Sequence, residues 1–296
     1  MKTHLRKSIL VFFIFEAFVG LKAQEVGTFK DPLSMIRDVG SSPAIQTDAA
    51  GSFSNPALGA TMPPLSSQFD VWAFALSENI QQVDSWGLFY SDSFFSLGSF
   101  TYTAEDESSQ TDLHLGMSFG NRTFSMGFAN ISVFNQDQRI SDYFNALQWG
   151  MIYRPNRFLS LGSVFTGSYK RGCWNLFLDG GLRPFGTPAF TFFGAYSVST
   201  PDSNLYTYDW QAGLVISPSK GIDVYGKYIS SGAVSLGLAV RLGAVGLAST
   251  LSSTRIDMNS PKKIGTGISL MTNKEGYSIA TTSKNSKYVE LSLNGV

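Results

Sequence analysis

The sequence predicts an all-β fold: a membrane-spanning antiparallel up-and-down β-barrel of about 14 strands (range about 12–16) behind an N-terminal hatch segment. Three observations carry this expectation. From Phe69 onward, runs of about ten residues alternate between apolar and polar positions. Charged side chains make up only 15% of the 296 residues, while aromatics reach 14% and glycines number 29; a typical soluble domain is about 25% charged. Beyond the N-terminal leader, no window approaches the roughly 18 apolar residues of a membrane helix, which leaves a closed barrel as the way to satisfy the backbone in lipid. The 22 basic and 22 acidic side chains balance, which removes the case for a nucleic-acid binder.

Residues 1–23 read as a secretory signal peptide. Lys2, His4, Arg6 and Lys7 form the basic start, and Ile9 to Phe15 the apolar core, continued by Ala17, Phe18 and Val19. Leu21-Lys22-Ala23 offers a cleavage edge that leaves Gln24 as the mature N-terminus. No cysteine follows that edge, so no lipid anchor is expected. Cys173 is the single cysteine of the chain. It excludes an intrachain disulfide framework and, beside Trp174, reads as a structural strand residue.

Residues 24–66 are expected to form the hatch. The stretch Asp48 to Ala60 fits neither the leader nor the alternating segments. Asn55 followed by Pro56 is a helix start, with Asn as N-cap and Pro in the first helical position. The small residues around it let the backbone lie close against a neighbour.

Residues 67–273 are expected to be the barrel. Val234, Leu236, Leu238, Val240 and Leu242 share one face of a strand, with Ser235, Gly237, Ala239 and Arg241 on the other. Tyr208 to Ser217, Thr111 to Phe119, Leu147 to Tyr153, Leu159 to Phe165 and Trp174 to Leu182 repeat the pattern. Fourteen such runs can be drawn between 69 and 271. Trp72, Trp86, Tyr90, Trp149, Tyr153, Tyr169, Tyr196 and Tyr228 are expected in interfacial girdles. The polar faces are mostly Gly, Ser, Ala and Thr, which suits a narrow lumen better than a water-washed sheet. Connections tend to alternate between short turns, such as Arg154 to Arg157 and Arg183 to Pro188, and longer polar loops, such as Asn135 to Asp142 and Ser199 to Thr207. Residues 274–296 are expected to form a C-terminal hairpin or the last barrel strands.

With hatch before barrel, the chain resembles the FadL/TodX-type outer-membrane transport superfamily, including its shorter PorV-like and spirochaetal FadL-like relatives. The residues that carry this are Thr47-Asp48-Ala49-Ala50-Gly51-Ser52-Phe53-Ser54-Asn55-Pro56-Ala57-Leu58, similar to that family's N-terminal Asp, small residues and Asn-Pro-Ala. The resemblance implies that Asp48, Asn55, Pro56 and Ala57 belong to a hatch filling the lumen. It also implies the outer membrane of a diderm bacterium, with outer-membrane lipid around the barrel. It offers two functions: moving small hydrophobic molecules across that membrane, or a non-transporting scaffold that docks exported proteins. The mature chain, 296 minus 23 or 273 residues, is short for the fatty-acid transporters of that family.

No enzyme chemistry, cofactor or metal site is expected. His114 is the one histidine after the leader, and Asp112, His114 and Ser118 lie along one face of one strand. That spread is too linear for nucleophile, base and orienting group to converge. A lumen histidine hydrogen-bonded to the hatch is the expected role. The polar lumen candidates are Asp112, His114, Gln148, Asp179, Asp209, Gln211, Lys227 and Arg241, with Asp70, Asp84 and Asp223 beside them. Isolated charges in a narrow lumen are costly, so they should pair across it or with the hatch.

Overall fold

The computed structural model describes residues 42–46, 48–64, 66–76, 83, 85–103, 109–135, 146–168, 174–202, 205–230, 232–242, 244–253 and 262–273. The expected leader, the first part of the hatch, the C-terminal run 274–296, Asp84, Tyr169, Cys173 and most of the long loops lie outside the described residues.

Fourteen antiparallel strands close into one barrel. They are β1 (Ser66–Leu76), β2 (Ser85–Asp92), β3 (Phe95–Thr103), β4 (Ser109–Gly120), β5 (Phe124–Asn135), β6 (Ala146–Tyr153) and β7 (Leu159–Gly167). The circuit continues with β8 (Trp174–Leu182), β9 (Phe190–Asp202), β10 (Leu205–Ser219), β11 (Ile222–Ile229), β12 (Val234–Leu242), β13 (Val245–Ser253) and β14 (Lys262–Asn273). Each strand pairs with its sequence neighbours, and β1 closes on β14 from Ser66↔Asn273 to Leu76↔Lys263. No edge remains, so every ladder group has a partner strand. The short turns after β2, β4, β6, β8, β10 and β12 gather at the end where Ser66 meets Asn273.

The alternation in sequence becomes an outer and an inner wall. Leu115, Trp149, Leu178, Tyr196, Trp210, Leu238 and Leu247 project outward and are exposed, whereas Asp112, His114, Gln148, Asp179, Ser197, Gln211 and Ser235 project inward and are buried. A soluble domain rarely leaves more than a few hundred Å² of continuous apolar surface uncovered. Here the apolar row recurs on strand after strand, which is the surface of a membrane-spanning barrel.

Two expectations fail in detail. Trp72 faces inward and is buried, stacked on Phe74 with ring centroids 5.9 Å apart. In β1 the outward row is Phe69, Val71, Ala73 and Ala75, and the period-2 rule does not say which row faces lipid when both are apolar. The loop expected over Ser199 to Thr207 is largely strand, with β9 running to Asp202 and β10 starting at Leu205. Pro201 is accommodated because the β9–β10 register shifts between Leu205 and Thr207, where no ladder donor is required of it.

Leu238 lies mid-strand on the outer wall. Leu238→Arg is expected to destabilise the barrel by roughly 2–4 kcal/mol if this wall faces hydrocarbon, read as a lower urea midpoint after refolding into vesicles.

Candidate functional site: the hatch and the inner wall

The hatch is a short helix, α1 (Ala49–Ser54), followed by a 3-10 turn over Pro56–Thr61. Asp48 caps α1, its Oδ1 accepting from the Gly51 N–H at 2.8 Å. Asn55 ends one element and starts the next. Its N–H donates to the Gly51 carbonyl at 2.8 Å, and its Oδ1 accepts from the Ala57 N–H at 3.0 Å. Pro56 takes the first helical position, where no N–H is needed. Residues 49–61 are all buried inside the barrel.

The approach is close because the wall lacks side chains there. Gly127 of β5 and Gly150 of β6 are register partners, both facing inward. A Cβ on Gly127 would overlap the Pro56 carbonyl, and one on Gly150 would overlap the Asn55 side chain. The Asn55 Nδ2 then donates toward wall carbonyls of Met151 at 3.3 Å and Ser163 at 3.5 Å. Toward β3, Phe53 lies where a Cβ of Gly98 would be, at 2.6 Å.

Polar wall residues pin the hatch backbone. Asp179 accepts from Ser42 Oγ and from the Ala44 N–H, the latter at 2.6 Å. Arg154 donates to the Ala44 carbonyl through Nη2 at 3.0 Å, and Ser160 donates to the same oxygen. Gln148 Nε2 donates to the Ser54 carbonyl at 3.2 Å, and Asp70 Oδ2 accepts from the Ala50 N–H at 3.0 Å. Ser52 and Ser91 join hydroxyls at 2.9 Å.

Beside the hatch the wall turns aromatic. Trp72, Phe74, Phe89 and Phe100 form one buried cluster with Ala49, Ala50 and Phe53 of the hatch. Phe53 meets Phe89 edge-on at 5.4 Å, and Phe74 meets Phe100 edge-on at 6.3 Å. Inward rings are placed opposite inward glycines: Trp72 is the partner of Gly87 and Gly267, Phe89 of Gly98, Phe193 of Gly213 and Tyr225 of Gly237. Trp72 lies over Gly267, Phe89 over Gly87, Phe193 over Gly213 and Tyr225 over Gly237, which is how a narrow barrel holds large side chains.

Solved structures share this arrangement of chain. A TodX mutant, a monoaromatic hydrocarbon channel, superposes with a TM-score of 0.53 at 11% identity, over 81% of this chain and 98% of its own. The Ralstonia pickettii toluene transporter TbuX gives a TM-score of 0.53 at 9% identity, over 82% and 98%. The chain has the FadL/TodX-type barrel fold. No protein-family model matches the sequence, and no curated protein matches it either. The likeness to TodX and TbuX is therefore one of fold.

Within this FadL/TodX-type fold the expected site residues divide into three groups. Asn55, Pro56 and Ala57 sit against the Gly127–Gly150 pair, with Gln148 on the adjoining backbone. Asp48, Asp70, Gln68 and Arg241 surround a void of about 40 Å³ between hatch and wall, and Arg241 also pairs with Asp223 at 3.4 Å. Asp179 holds the segment preceding α1. Asp112, His114, Asp209, Gln211 and Lys227 lie on the inner rows of β4, β10 and β11. Asp112 accepts from Tyr102, and Asp209 accepts from Ser230 near the opposite rim.

His114 departs from its expected role. It touches the hatch by ring packing on Phe53 at 5.1 Å, and its Nε2 lies 3.5 Å from Ser96 Oγ. Asp112, His114 and Ser118 remain spread along β4. Among the described residues, no group of three His, Cys, Asp or Glu side chains could hold a metal.

Sequence reasoning passed over Arg154, Ser160, the glycine pair and the aromatic cluster. Arg154 sits in a turn and counts there as a loop residue. The glycine pair would show only once the β5–β6 register is known, and those strands are joined by a long loop.

Gly150→Val should dislodge the hatch while leaving the outer wall intact. The expected result is faster proteolysis within residues 42–62, with unchanged heat-modifiable mobility of the barrel.

Asp48 opens on the small void yet lies deep within the barrel, and burial pushes its carboxyl up to about 7, helped by the neighbouring Asp70 charge. The Gly51 N–H and the more distant Arg241 oppose the rise. A carboxyl whose folded value is raised binds a proton in the docked state that the free state has lost. Docking is thus strongest below about pH 4 and weakens as pH rises to about 7. Hydrogen exchange of the Ala49–Ser54 amides, corrected for intrinsic rate, should speed up across that window. Asp48→Asn keeps a capping oxygen and should flatten the dependence.

Proposed function

We propose that this protein is an outer-membrane channel of a diderm bacterium, exported by a cleaved signal peptide, that passes small apolar solutes of about monoaromatic size. The observation that carries the reading is the aromatic inner wall of Trp72, Phe74, Phe89 and Phe100, which leads to Phe53 on the hatch. A solute leaving water gains from such a surface, and the rings over glycines can turn where a wall of branched aliphatics would be fixed. The fold shared with a hydrocarbon channel and a toluene transporter supports the same solute class.

On this reading a solute enters from the end of the longer loops and slides along β1–β3 to Phe53. It leaves as the segment Asn55-Pro56-Ala57 shifts off the Gly127–Gly150 pair. The polar pins oppose that shift and restore the closed state, with Asp48 and Asp179 holding the segment at either side. The remaining polar candidates, Asp112, His114, Asp209, Gln211 and Lys227, order the inner wall.

A second reading rests on a different observation: the hatch packs closely on β3, β5 and β6 at Gly98, Gly127 and Gly150, and Ile45 packs on Gly181 of β8. A barrel filled in this way suits a scaffold that docks exported proteins.

Uptake of toluene by a deletion strain separates the two. Loss of uptake on deletion, restored by the native gene and lowered roughly tenfold by Trp72→Gln with Phe100→Gln, is the expected result. Unchanged uptake together with co-purification of an exported protein would replace the channel with the scaffold.

A further inference from the structure

The outer wall carries a notch near the short-turn end. Gly180 of β8 and Gly194 of β9 are register partners on the membrane-facing side. With Leu159, Leu182 and Phe192 they line a cavity of about 250 Å³ that opens outward. Leu182 and Phe192 stand at its sides, 51% and 48% exposed. A Cβ on Gly194 would meet only the Gln211 carbonyl at 3.6 Å, and one on Gly180 would meet Leu161 at 3.3 Å. The space exists because two side chains are missing from an otherwise continuous apolar row.

The rim beside the notch is basic. The turns at 154–158 and 183–189 contain Arg154, Arg157 and Arg183 and no Asp or Glu. Arg154 is committed to the hatch, and Arg183 is half-buried near it with its Nε enclosed. Arg157 is exposed, with its guanidinium 5.0 Å above the Phe158 ring. It lies against Gly186, where a Cβ would come within 2.7 Å of its Nε. Among the described residues no carboxylate pairs with Arg157. Phe185, 69% exposed, stands in the second turn at the level where interfacial side chains meet headgroups.

We propose that this face is a binding site for one anionic glycerophospholipid, with an acyl chain in the Gly180–Gly194 notch and the headgroup phosphate at Arg157. The apolar notch accounts for the chain, and Arg157, exposed on turns that carry no Asp or Glu, accounts for the charge. A zwitterionic lipid presents an ammonium beside its phosphate and gains less from such a rim. The site rests on the membrane-barrel reading and is independent of what passes through the lumen.

Native mass spectrometry of the full chain tests it, after exchange into nanodiscs holding equal parts phosphatidylglycerol and phosphatidylcholine. The expected result is one phosphatidylglycerol retained per barrel in preference to phosphatidylcholine. Arg157→Gln, on an exposed turn, should lower that preference about fivefold. Gly180→Leu, which fills the notch from outside, should abolish retention of either lipid. Equal retention of both lipids, or retention indifferent to both substitutions, overturns the site. So does a dimer that Gly180→Leu dissolves, since the notch would then be a seat for a second copy. Heat-modifiable mobility of each variant reports barrel formation separately. Toluene uptake reports the channel reading separately, so a failure of one leaves the other readable.

Discussion

A backbone in hydrocarbon has to satisfy its own N–H and C=O groups, and closing fourteen strands does so at the cost of creating a lumen. In this barrel the hatch lies in that space, and its own polar backbone requires partners there. The hatch meets the requirement because Gly127 and Gly150 stand opposite each other on the inner wall. With any larger residue at either position, Asn55 and Pro56 could not approach, and the donors and acceptors around them would lose their partners. The position of α1, the reach of Gln148 and Asp70, and the contact of Phe53 with the aromatic cluster all follow from that one fit.

The interior therefore has two chemistries on two sides. Toward β5–β8 the hatch is held by directional contacts to its backbone, from Arg154, Ser160, Gln148 and Asp179. Toward β1–β3 rings and small residues join the hydrogen bonds of Asp70 and Ser91 in holding it. Hydrogen bonds to buried backbone are lost steeply with displacement, while apolar contacts change gradually.

The strands were legible because one property, which side of the wall a residue faces, governs nearly every position from Phe69 onward. Asn55 and Pro56 were legible as a local start signal, since capping depends on residues two or three apart. Trp72 was not, because β1 carries apolar residues on both faces and alternation then gives no direction. The pairing of Phe89 with Gly98, or Gly127 with Gly150, depends on register, which alternation repeats every two residues without choosing among the options. Arg154 was hidden for another reason: it belongs by sequence to a turn and by contact to the hatch, more than a hundred residues away.

The placement of charge makes the same point at larger scale. A chain with a net charge of zero has still separated its charges in space. Asp48, Asp70 and Asp179 are turned inward to the hatch, where each accepts a backbone N–H. Arg122 and Arg157 are left exposed on the short-turn rim. The inward acids accept amide N–H groups, and burial raises the Asp48 carboxyl to about 7 so that it is largely protonated at lower pH, so the rim arginines are not drawn inward as counter-ions. Those arginines are free to face the membrane surface, and the end of the barrel that holds the hatch is the end that presents them to anionic headgroups.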